Sequence, residues 1–264
     1  MSNIIIDPYR FGIDCSSNVI SCTIKPLSFD GTNDELVLAD HDDFSFDAVN
    51  TAANINVAHS VCVYLNRDSL FNNEGIYRKA NSLNNMEYRV FFLGNDLYCD
   101  TYDTHVNTYS RRIFYNISSS LMAVNTWFQL CVAFGTEGRE ASAWVNGISL
   151  GAGSGGGSGS GDIENLTMEF SIGGAMSNAG LNFYEGLLTQ FMLWKDHKLT
   201  QDEVDYLYSS GTALRNPTID CGDYQISNKL KLWVKDETGN DYSGNSHHMT
   251  LTGGLTHAGS SSPC

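Results

Sequence analysis

Side chains able to grip a ligand are concentrated in the stretch YCDTYDTHVNTYSRR, which carries Tyr98, Tyr102, His105, Tyr109, Arg111 and Arg112. Aromatic faces cover the apolar side of a sugar ring, and guanidinium forks hydrogen-bond its oxygens. Core patterning is weak here, so these rings are expected either to meet a ligand or to pack under a loop. Trp194 alternates opposite Phe191 and Leu193, which makes it a further candidate for an outward-facing sugar contact. Catalytic constellations are missing. No E-x-D-x-x-E run places carboxylates on one strand face, and Glu203-Val204-Asp205 sits in a helical pattern without a third acid. None of the seven histidines has zinc-site spacing, and His247, His248 and His257 fall in a polar tail expected to be exposed. No G-x-S-x-G elbow occurs. The expectation is a protein without catalytic residues, and not an enzyme.

The elements that must position these residues are strands. Period-two alternation puts Val61, Val63 and Leu65 on one face, then Phe128, Leu130, Val132 and Phe134, then Leu166, Met168, Phe170 and Ile172. MEYRVFFLGNDLYCDTYD reads as two strands joined at Gly94-Asn95-Asp96, and REASAWVNGISL as two joined at Asn146-Gly147, residues that accept positive φ. One helix is expected in LTQDEVDYLYSSG. Thr200 and Glu203 form its capping box, Val204, Leu207 and Tyr208 its apolar stripe, and Gly211 its end. The run GAGSGGGSGSG (151–161) has no face to bury and reads as a long hairpin loop inside one domain.

At 264 residues the chain can bury a core without metal or cross-links. Its formal net charge of −15 repels phosphate backbones and anionic lipid, so nucleic acid and membrane insertion are excluded as targets. The start, MSNIIIDPYRFGID, lacks the pattern of a signal peptide, which points to synthesis in a cytosol. Seven cysteines without a CxxC pair read as free thiols, with Cys62, Cys99 and Cys131 inside strands; Cys15, Cys22, Cys221 and Cys264 could cross-link in an oxidising setting.

The order of segments resembles the laminin-G-like, pentraxin-like group of the concanavalin A-like lectin/glucanase superfamily. LSFDGTNDELVL (27–38) is similar to that group's opening strand and turn, VNTWFQLCVAF to its tryptophan strand, and AWVNG to its hairpin. FSIGG and FYEGLLTQFMLWKDHKLTQDEVDYLY are similar to its closing strand and helix, with Trp127 and Trp144 at framework positions. The resemblance implies an all-β, two-sheet antiparallel jelly-roll sandwich with one short helix near the C-terminal end. It divides the chain into an N-terminal arm (1–26), the sandwich (27–215) and a C-terminal extension (216–264) packed on or clasping it. That tail contains a D-x-S-G-N-like stretch that could add a closing strand pair or be a remnant of a second repeat. The resemblance also implies calcium at the sandwich rim, with Asp30 and Asp34 as ligands, although Thr189 replaces an acid usual in the group. As turn formers those two aspartates need no metal, and Asp40-His41-Asp42-Asp43 reads as a solvated loop.

Two functions remain open. One is a structural or adhesive protein displayed on an assembled particle, such as a virion decoration or fibre, with protein partners or copies of itself and host-surface glycan recognition. The other is an extracellular lectin-like carbohydrate-binding module.

Overall fold

A computed structural model describes residues 18–20, 24–47, 56–70, 73–82, 85–103, 108–136, 140–157, 163–176, 180–211 and 214–257. Along the chain come β1 (Val19–Ile20), β2 (Leu27–Asp30), β3 (Glu35–Leu38), β4 (His59–Arg67), β5 (Asn73–Ser82) and β6 (Asn85–Leu93). Next are β7 (Asp96–Asp103), β8 (Thr108–Phe114), β9 (Phe128–Phe134), β10 (Ala141–Val145), β11 (Ile148–Ser149) and β12 (Ser154–Gly157). Then follow β13 (Phe170–Ile172), β14 (Glu185–Lys195), α1 (Gln201–Tyr208), β15 (Leu214–Arg215), β16 (Leu230–Val234), β17 (Thr250–Thr252) and β18 (Thr256–His257). The first sheet runs β11-β10-β9-β4-β14-β2-β18, with β16 also on β14, and the second runs β12-β8-β7-β6-β5-β13-β3-β17. Together they form the antiparallel sandwich the sequence implies. The two end strands of the described chain divide between the sheets: β17 lies on β3 and β18 on β2.

Alternation builds the core. Val61, Val63 and Leu65 of β4 and Phe128, Leu130 and Val132 of β9 meet Tyr88, Val90 and Phe92 of β6 and Phe170 and Ile172 of β13, all buried. The hairpins turn where the sequence places them, with φ +61° at Gly94 and +52° and +75° at Asn146 and Gly147. In α1 the Thr200 side chain accepts from Glu203 N while the Glu203 carboxylate accepts from Thr200 N, completing the capping box. The helix stops earlier than expected, on Ser209 in the left-handed region.

Three expectations fail for reasons of packing. Trp194 is fully buried rather than outward, because α1 and the following segment cover the outer face of the first sheet. There Trp194, Met192 and Trp144 pack with Val204, Leu207, Tyr224 and Trp233, and Trp194 Nε1 donates to the Tyr224 hydroxyl at 3.0 Å. Cys62 and Cys131, read as thiols, face each other across β4 and β9 and form a disulfide; Cys221 is disulfide-bonded as well, and Cys99 is a buried free thiol. Within the glycine-rich run, residues 154–157 are an edge strand rather than a loop. Paired to β8, they need no side-chain face, and a Cβ on Gly153 would lie 2.7 Å from the Arg112 side chain.

Candidate functional site

With the first sheet covered on both faces, ligand-binding chemistry concentrates on the outer face of the second, across β6, β7 and β8. Their register lines up side chains in rows. Phe91, Tyr98 and Ile113 form one row, and Arg89, Asp100 and Arg111 the next. Beyond the aromatic row, Leu93 pairs with Asp96, whose carboxylate accepts from Asn116 N at 2.7 Å and so brings the end of β8 alongside. Because strand side chains alternate, Val90, Phe92, Leu97 and Cys99 point the other way, into the core.

The charged row stiffens the aromatic one. Asp100 is fully buried and takes both prongs of Arg111, at 2.5 and 2.7 Å, while Arg89 Nε donates to it at 2.9 Å. Such fork-on-fork pairing fixes a guanidinium in plane as well as in place. Tyr98 stacks on Phe91 with centroids 4.9 Å apart and planes 17° apart, and the Arg111 guanidinium lies 4.9 Å from the Tyr98 centroid. Burial, with the Asp96 carboxylate and Tyr115 adding to it, pushes the Tyr98 phenol up, so it stays a neutral donor. Leu93 and Tyr115 remain open to solvent, 41% and 51% exposed.

Of the candidates read from sequence, Tyr98 and Arg111 are brought together. Tyr102 is buried, packed with Met86, Phe91, Met176 and Leu181, so the loop-packing alternative holds for it. Trp194 is on the opposite side of the sandwich, inside the second core. His105 and the Tyr109 side chain lie outside the described residues. Arg112 turns to the edge, donating to the Gly153 carbonyl at 2.8 Å. Phe91, Arg89, Asp100 and Tyr115 were missed. Asp100 lies two residues after Tyr98 on β7, so alternation alone places it on the same face, whereas Phe91 and Arg89 lie on β6 and only strand register brings them there.

At the rim, Asp30 Oδ1 accepts from Thr32 N at 2.8 Å and Asp34 Oδ2 from Asp30 N at 2.9 Å, the work of turn formers. Asp34 nevertheless is only 3% exposed, and its Oδ1 has no partner among the described residues. Burial and the Asp30 charge push its carboxyl up. An orphaned carboxylate oxygen beside a second carboxylate fits a hard cation. Thr189 is buried and donates to the Lys235 carbonyl at 2.6 Å, so that position is closed to solvent.

Two further acids have the raised pKa of catalytic groups. Burial pushes Glu74 and Glu87 up to about 7 against the pull of Arg67 and Lys79, each 2.8 Å away. Both are wholly inaccessible to a substrate. The tail histidines also depart from expectation: His247 is buried, with Nε2 2.9 Å from Asp43 Oδ2, and Asp43 is correspondingly not a freely solvated loop residue. His248 is exposed, as expected. Among the described residues no helix is long and apolar enough to cross a membrane.

Residues 30–205 match the family model described as the concanavalin A-like lectin/glucanases superfamily. No curated protein matches the chain. Among solved structures, a heptameric SAP-like pentraxin from Limulus polyphemus is 14% identical with a TM-score of 0.53, over 90% of this chain and 96% of that one. A protein from Bacteroides ovatus, described as carbohydrate binding, is 15% identical with a TM-score of 0.56, over 89% of this chain and 60% of that one. These likenesses are of fold.

Proposed function

The chain belongs to the concanavalin A-like lectin/glucanase superfamily, and on that premise we propose that it is a non-catalytic carbohydrate-binding sandwich whose platform is the outer face of β6, β7 and β8. The observation that carries this reading is the Phe91–Tyr98 stack, clamped by Arg111 and bordered by exposed Leu93 and Tyr115. A sugar's apolar face can lie on the partly exposed Tyr98 ring, which the buried Phe91 backs, while its hydroxyls reach the Tyr98 phenol and the Arg111 guanidinium. Aromatic contacts of this kind contribute roughly 0.5–1.5 kcal/mol beyond area burial.

The absence of catalysis is read from the acids. Asp100 has both oxygens engaged by arginines, and Glu74 and Glu87 are ion-paired out of substrate reach. Calcium at the rim, held by Asp30 and Asp34, would satisfy the orphaned Asp34 oxygen and brace the first turn. The Cys62–Cys131 disulfide suits an oxidising, extracellular setting. Carried on a virion or another assembled particle, the same face would serve host-surface recognition.

The test is a glycan array followed by calorimetry on the best ligand. Tyr115→Ala and Arg111→Ala should weaken binding by about fivefold each, in line with ~1 kcal/mol per aromatic or cation contact. No glycan bound, or variants that bind as wild type while melting normally, would remove the platform.

A further inference from the structure

His41 and Asp43, two residues apart, are met by the distant His247 where the C-terminal segment lies on the turn Asp42–Phe44. His247 Nε2 is 2.9 Å from Asp43 Oδ2, and His41 Nδ1 is 3.8 Å from the same oxygen. The two imidazoles stand 4.4 Å apart, planes at 65°. One donor atom from each residue lies within 4.8 Å of the other two. A tetrahedral zinc, with bonds of ~2.0–2.2 Å, spaces its donors roughly 3.3 Å apart. Side-chain shifts on the order of 1 Å therefore complete the set.

Each donor is held in a way that suits a ligand. Lys231 Nζ takes the far oxygen of Asp43 at 3.1 Å, leaving Oδ2 to face the imidazoles alone. Outer partners of this kind orient a monodentate carboxylate, although the Lys231 charge keeps affinity below that of an all-anionic cage. The His247 ring packs edge-on to Phe44 at 5.1 Å, and its backbone N–H donates to Asp241 Oδ2 at 3.0 Å. Asp241 is itself buried and also accepts from Trp233 N, so the loop carrying His247 is anchored to β16. The His41 side chain is half exposed, which leaves room for a water as fourth ligand. Its Nδ1 accepts from Asp43 N at 3.1 Å; that exposed N–H turns to water when a metal takes the lone pair.

We infer that His41, Asp43 and His247 form a site for a zinc-like transition-metal cation that fastens the C-terminal segment to the sandwich. Two imidazoles with one carboxylate select zinc over calcium or magnesium, which prefer oxygen alone. This site is independent of the sugar platform and of the calcium rim.

The experiment uses the full chain stripped by chelator, titrated with zinc chloride by calorimetry and melted with and without the metal. The expected result is a single zinc per chain and a raised melting midpoint. His41→Ala should weaken binding by at least the ~10–100-fold that even outer partners are worth. His41 also accepts from Asp43 N, so its loss should lower the metal-free melt slightly and zinc affinity is read where the variant is folded; Asp43→Asn supplies a second readout. Absence of zinc binding by the wild type, or an unchanged affinity in both variants, would overturn the inference.

Discussion

His59 should make this protein acid-sensitive in a way that one substitution removes. The ring is fully buried on β4, stacked between Phe46 at 3.7 Å and Phe134 at 4.5 Å. Burial, with the Lys195 charge adding to it, lowers its pKa from 6.5 to about 3. Between those values the unfolded chain binds the proton and the folded chain does not, so stability falls as pH drops. The full effect is ~5 kcal/mol, from about 3.5 units at 1.36 kcal/mol each. Only about 2 kcal/mol of it is lost between pH 7 and pH 5, because the loss begins near pH 6.5 and continues down to the folded pKa of about 3. Urea denaturation at both pH values measures the loss. His59→Phe keeps the stack and removes the titration, so its stability difference should be smaller than wild type's by about 2 kcal/mol. All other titrating groups are common to both proteins and cancel. An identical pH dependence in the two would refute the reasoning.

Other perturbations test other layers of the structure. The Cys62–Cys131 bridge closes a loop of 69 residues in sequence separation, for which chain entropy gives roughly 4 kcal/mol; the paired alanine variant should lose about that much in denaturant titration. Non-reducing peptide mapping should recover the two cysteines linked. Trp194→Ala should cost ~3–5 kcal/mol through the cavity left under α1, whereas Trp194→Phe should bind glycan as wild type does on the array. Weakened sugar binding by a stable Trp194→Phe would return that ring to the ligand site. Calcium should raise the wild-type melting midpoint relative to chelator, and Asp34→Asn should abolish the shift. An equal shift in both proteins would place any calcium elsewhere.

The sandwich was legible because its signals are local. Alternation in WFQLCVAF and HSVCVYLN, the turns at Gly94-Asn95 and Asn146-Gly147, and the Thr200–Glu203 capping box each depend on neighbours within a few residues. Tyr98 and Arg111 were picked out from one short stretch with weak core patterning, and the structure shows that this stretch forms a hairpin carrying both.

What alternation cannot say is what covers a face. Trp194 has the pattern of an outward residue, and on an uncovered sheet it would be one; α1 and the segment after it bury it. The free-thiol reading of Cys62 and Cys131 failed because pairing depends on the register of β4 against β9, which no local signal sets. Glycines 155–157 became a strand because β8 offered backbone partners, not because glycine prefers one. His247 and Asp43, 204 positions apart, meet in a fold where β17 pairs with β3 and β18 with β2. By itself the sequence determined the fold class, the turns, the helix and one hairpin's worth of the platform, since these follow from the short-range geometry of strands and caps. Tertiary structure alone decided which face stays open and which distant donors converge, because burial and proximity are properties of layers stacked in space.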